Sequence, residues 1–142
     1  MIYRGLNRPL LFFIKEINMI KKRIKYEDFD GVEREEDFYF NLTKTELVKW
    51  NYSESGGLEE AVKKIIDTKD AKELLKIYDK IITMSYGVKS PDGKKFVKSE
   101  EITNDFKDTN AYDVMFIEYL SHPESFNAFI DGIMPKDINT VK

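Results

Sequence analysis

Carboxylates are the side chains this chain offers most freely for chemistry. They come in runs: Glu35-Glu36-Asp37, Glu59-Glu60 and Glu100-Glu101. Acid–base catalysis by two carboxylates needs environments different enough to pull their pKa values apart. Runs of like charge on polar segments share one solvated surface, so a solvated face is the preferred reading. Asp28, Asp30, Glu33, Glu35 and Glu36 could attract a cation, but the calcium-loop spacing with its glycine and terminal glutamate is missing. The one histidine, His122, lies between Ser121 and Pro123 at an expected helix start. A general base needs an orienting partner and a nucleophile within reach, and neither is legible here. Gly56-Gly57 lacks the G-x-x-x-x-G-K-[ST] frame and a preceding strand, so it reads as a break between helices. The chain has no cysteine, which removes disulfides, thiolate nucleophiles and Cys-ligated zinc. No enzymatic activity, cofactor or metal is expected.

Binding is the chemistry that remains. Aromatic side chains dominate interface hot spots, although they also fill ordinary cores. Trp50, Tyr52, Tyr86 and Phe96 are the candidate partner-binding residues. Trp50 ends a short helix beside the break at residues 53–57 and is the one expected to be exposed. The chain has 142 residues, with 23 basic and 26 acidic side chains and a net charge of −3. A protein that reads nucleic acid through phosphate needs a basic surface, so no nucleic-acid partner is expected. Lys21-Lys22-Arg23 could touch a phosphate; pairing across a hairpin is the preferred role. The strand that carries them could also be an open sheet edge, able to pair with another copy or an extended peptide.

The elements that must position these residues follow from periodicity. Residues 26–47, YEDFDGVEREEDFYFNLTKTEL, read as a β-hairpin running into a capped helix. Ile20, Ile24 and Tyr26 share one side of the first strand, and Phe38, Phe40 and Leu42 one side of the second. Parity selects the turn. A two-residue Asp30-Gly31 loop would put the two apolar sets on opposite faces. A three-residue loop, Phe29-Asp30-Gly31, keeps them together, with Tyr26 opposite Arg34 and Lys22 opposite Phe38, and places Gly31 at a left-handed position. Lys25 then faces Glu35 and Arg23 faces Asp37.

Helices account for most of the rest. Thr43 and Glu46 form a capping box; Leu47 and Trp50 share the face of the helix it opens. Leu58, Val62, Ile65 and Ile66 make the next stripe. Asp70 opens a long apolar helix through Met84, with Gly87 suited to a left-handed cap. Ser90-Pro91-Asp92-Gly93 is a turn, and Phe96-Val97 a short extended piece. Ser99 caps a helix carrying Ile102 and Phe106. Thr109 or Asn110 opens another, and Ser121 with Glu124 frames a last capping box before Phe126, Phe129, Ile130 and Ile133, with Gly132 weakening that helix's end. The fold class is α+β: an N-terminal antiparallel hairpin followed by a mostly helical bundle of about five or six helices.

Residues 19–137 read as a single domain. Residues 138–142 read as a flexible tail, and residues 1–18 as a disordered leader or an upstream start, with Met19 the natural one. The competing reading of 1–18 is a membrane or partner anchor. Its apolar run, residues 10–14, is far short of the roughly 20 residues of a membrane span, so no membrane association is expected.

The order of several blocks is more specific than any one of them. K-Y-E-D-F-D-G-V-E-R-E-E-D-F-Y-F-N-L-T-K-T-E-L, then S-G-G-L-E-E, then S-Y-G-V-K-S-P-D-G-K-K-F-V-K-S-E-E, then F-I-D-G-I-M-P-K-D resemble the tail assembly chaperones of long-tailed bacteriophages, in particular those infecting Gram-positive bacteria. The resemblance spans residues 19–137. It implies a non-enzymatic role in virion morphogenesis in the host cytoplasm. The partner it implies is the long, helical tape measure protein, kept soluble before the tail tube polymerises around it. The tail tube protein is a further partner, self-association is expected, and the chaperone is absent from the mature virion. In many relatives a programmed frameshift yields a longer form. The leader 1–18 and the aromatic Trp50-Asn51-Tyr52 depart from the family pattern. The alternative is a structural tail component of the terminator or connector type, retained in the particle. A DNA-binding helix-turn-helix is a poor fit, because residues 109–120 carry Asp113 and Glu118 and no basic side chain.

Overall fold

The computed structural model describes residues 19–53 and 56–135. The expected leader 1–18 and tail 138–142 lie outside these residues. Strands β1 (Ile20–Glu27) and β2 (Glu33–Phe40) form the hairpin. Three helices follow, α1 (Lys44–Asn51), α2 (Gly57–Asp67) and α3 (Ala71–Ser85). A short β3 (Tyr86–Lys89) and β4 (Phe96–Val97) precede α4 (Glu100–Lys107), α5 (Asn110–Ser121) and α6 (Pro123–Ile133). The sheet is antiparallel, ordered β1-β2-β3-β4, so three helices intervene between two neighbouring strands.

The hairpin takes the register that parity selects: Tyr26 pairs with Arg34, Lys22 with Phe38 and Arg23 with Asp37. Asp28 N–H donates to Val32 O at 2.9 Å and Gly31 N–H to Asp28 O at 3.0 Å. That leaves a three-residue tip with Gly31 at φ 82°, a backbone that side chains disfavour. Arg23 serves two carboxylates on the outer face, Glu35 at 2.9 Å and Asp37 at 3.0 Å. The inner face carries Ile24, Phe38 and Phe40 into the core, where Phe40 meets Phe129 edge-on at 5.3 Å.

Caps set most helix starts. Thr43 and Glu46 satisfy each other's backbone N–H groups at 3.1 and 2.9 Å. Asp70, Ser99 and Thr109 cap α3, α4 and α5. The last box is different. Ser121 is the final residue of α5, and His122 joins the two helices with no side-chain cap. Its ring Nδ1 lies 3.2 Å from Glu118 O. Pro123 starts α6 without one, because its missing N–H removes a donor that would otherwise need a partner. The expected box therefore does not form, since the chain stays helical through Ser121.

Gly87 also departs from expectation. It is a β3 residue opposite Tyr39, not a left-handed cap. Tyr86 leaves α3 directly in extended conformation, held by pairing with Phe40 and by stacking on Phe106 at 4.3 Å between ring centroids. Glycine is needed there for space: a Cβ would stand 2.7 Å from the Phe96 ring. Gly132 is likewise a contact and not merely a weak helix end. A Cβ there would lie 2.4 Å from Ile20 Cδ1, so its absence lets α6 approach β1.

The ends of the elements are tied together. Asn41 N–H donates to Ser85 O and Leu42 N–H to Ile133 O, at 2.8 and 2.9 Å. The Lys98 ammonium donates to Asn41 O at 2.6 Å, Met84 O at 2.8 Å and Glu46 Oε2 at 2.8 Å. Burial lowers its pKa, and Glu46 pulls it back up. Between α3 and α5, the Tyr112 hydroxyl donates to Asp79, with Lys107 on the same carboxylate at 3.5 Å.

Candidate functional site

An open concave surface follows from how α2 divides its apolar side chains. Leu58 and Ala61 turn inward and are buried, while Val62 and Ile65 are half-buried. Ile66, expected in the same core stripe, is 76 % exposed. Leu58, Val62 and Ile66 are spaced four apart, so they form one ridge along the helix. Across from them α6 presents Ile130, with Asn127 and Asp131 alongside, and Met134 follows at its C-terminal end. Leu47 of α1 also lines it. The result is an open groove of about 680 Å³. Asn51, Glu59, Lys63, Asn127 and Asp131 make its polar lining.

The groove has the makings of a binding surface. Its apolar residues come from three helices, and its polar ones are amides and charges of both signs. A helix laid into such a groove is recognised by anchors at i, i+3, i+4 and i+7. The lining holds no histidine, serine or cysteine. Among the described residues, no group of three or more His, Cys, Asp or Glu is placed to hold a metal ion. No helix among them is long and apolar enough to cross a membrane.

The aromatic candidates scatter. Trp50 is 4 % exposed; it points into the core from α1, with Lys80 Nζ 5.7 Å from its ring centre. That corrects the expectation of exposure: Trp50 shares a helix face with Leu47, and that face packs inward. Tyr52 caps the C-terminus of α1 and is 88 % exposed, next in sequence to Asn51 of the groove. Tyr86 is half-buried against Phe106, and burial first, then Asp105, raises its phenol pKa. Phe96 lies over Gly87 on the sheet. These four therefore do not form one surface. The groove residues Leu58, Val62, Ile66, Ile130 and Met134 are absent from the sequence-based candidates. The one signal for them was the four-residue spacing in α2, which equally describes a core stripe.

A family model described as phage tail assembly chaperone matches residues 19–142. No curated protein and no solved structure matches the chain.

Proposed function

We propose, for a chain that belongs to the phage tail assembly chaperone family, that it acts by holding apolar helical stretches of the tape measure protein in the groove between α2 and α6. The observation that carries this is the groove itself, with the exposed Ile66 on its rim. A long helical partner with an apolar stripe aggregates when the stripe meets others of its kind. Covering it transiently with many small modules keeps it soluble until tube subunits take their place. The polar groups that line the groove keep each module dispersed. The action is binding alone, in the host cytoplasm, and the chain is absent from the finished particle. Self-association along the partner and contact with the tail tube protein belong to the same proposal.

Co-expression tests it. The tape measure protein of the same phage should pass from the pellet to the soluble fraction and co-purify with this chain. Ile66→Glu and Val62→Glu should abolish the rescue by placing an unpaired charge against the partner's apolar stripe. No rescue and no co-purification with the natural chain would overturn the proposal. Finding the chain in purified virions would favour the retained structural component instead.

A further inference from the structure

We propose that the tip of the hairpin docks into a hollow formed by α1, α2 and α3 of a second copy of this chain, with Phe29 as the inserted ring, so that copies join head to tail. The inference deepens the self-association included in the function proposed above and rests on that reading for its purpose; it does not use the α2–α6 groove.

The tip supplies one half. Every residue from Phe29 to Glu36 is exposed, and Phe29 is 77 % exposed, so its ring has no cover within its own chain. The backbone beneath it is already fixed. The Asp28 carboxylate accepts from the Asp30 and Val32 N–H groups, both at 2.9 Å, and from Arg34 at 2.6 Å. A tip ordered before contact loses little freedom on binding. Residues 27–33 hold Glu27, Asp28, Asp30 and Glu33 and no basic side chain, a net of −4. An aromatic side chain is therefore presented with a carboxylate on either side.

The hollow supplies the other half. Trp50, Ala61 and Ile77, all buried, give it an apolar floor. Lys64, Lys76 and Lys80, all exposed, stand around that floor with Glu73. Three lysines against one glutamate make +2, in a chain whose net charge is −3. Glu73 lies 3.8 Å from Lys64, which leaves the excess on Lys76 and Lys80. Lys72 extends the same ridge of α3, four residues before Lys76. The hollow measures about 110 Å³. A cavity of about 150 Å³ holds a benzene ring, so this one admits most of a phenyl group. Ammonium groups around it attract a ring face as well as a carboxylate.

Charge and size together select a second copy as the occupant. The acidic tip and the basic rim have opposite signs, which steers the encounter and fixes its register. Two different patches on one chain that fit each other make a heterologous contact, which repeats from copy to copy into a ring or an open filament. An open filament is the arrangement that can follow an extended partner.

Sedimentation of the full chain tests this. The mass of the natural chain should rise with concentration past that of a dimer. Phe29→Ser removes the inserted ring, and Lys76→Glu with Lys80→Glu reverses the rim. Each change should weaken association at least about tenfold. All three positions are exposed, so both variants should keep the natural urea midpoint. Mixed one to one, the two variants should pair again and stop at a dimer, because one brings only an intact hollow and the other only an intact tip. A natural chain that stays monomeric up to about 1 mM overturns the proposal and leaves the hollow to an acidic segment of another protein. A natural chain that stops at a dimer also overturns it. So does association that survives both variants, or a mixture that stays monomeric while both midpoints hold. Asp30→Lys and Lys76→Glu alone form a second, milder pair to which the same criteria apply. Loss of tape measure rescue would remove capture in the groove and leave this association standing. A monomeric natural chain would do the reverse, so the two failures are distinguishable.

Discussion

Lys98 is where a single side chain does the most structural connecting. Its ammonium reaches two backbone carbonyls and Glu46, so it joins the end of β2, the start of α1 and the end of α3. Lys98→Met keeps the stem and removes the charge. The two carbonyls and the carboxylate would lose a donor in a largely dry site, and we expect a loss of about 2–4 kcal/mol. A urea titration reads it directly. Asp28 offers a pH test. Its carboxylate accepts from Arg34, then from Val32 and Asp30 N–H, and these hold its pKa below the usual carboxylate value. A lowered folded pKa gives stability that is present above the unfolded value, about 3.9. That stability is lost as the pH falls through the folded pKa. Asp28→Asn should lower the urea midpoint above about pH 5, where that stability is present, and flatten its decline below about pH 4.

At the scale of elements, two glycines make opposite predictions. Gly87→Ala forces a Cβ against the stiff Phe96 ring and should cost about 1–3 kcal/mol. Gly132→Ala meets the flexible tip of Ile20, while an alanine favours the helix by up to about 1 kcal/mol. The net change there should stay within about 1 kcal/mol, and parallel thermal melts would rank the two. The hairpin was fully legible in sequence because parity left one register that kept Ile24 and Phe40 on the same face. Caps at Thr43, Asp70, Ser99 and Thr109 were legible for a similar reason: each signal is local. Ser121 failed as a cap because its competitor, continuing α5, is local too and won by one more turn. Strand β3 was missed because what holds Tyr86 extended is Phe106, twenty residues on. The groove was not legible at all. Its walls come from α2 and α6, and only packing decides that Ile66 faces out while Leu58 faces in. Trp50 was misread for the same cause.

For the whole molecule, function and stability should separate. Ile66→Glu alters an exposed position, so it should move the unfolding free energy by no more than about 0.5 kcal/mol while ending capture of the partner. A matched pair of measurements, urea midpoint and soluble tape measure yield, tests that separation. The acidic charge is also unevenly spread. Glu27, Asp28, Asp30, Glu33, Glu35, Glu36 and Asp37 crowd the hairpin, against Lys21, Lys22, Arg23, Lys25 and Arg34. The sheet margins carry a last consequence. β1 ends the strand order, and its outer side chains are Lys21, Arg23 and Lys25, with Glu27 at its end. A second copy zipped along it antiparallel about Ile24 would set Arg23 against Lys25, which is unfavourable. The opposite margin, β4, spans only Phe96–Val97, too brief a template to extend. Crowded copies of the chain therefore gain little from strand-to-strand growth at either margin.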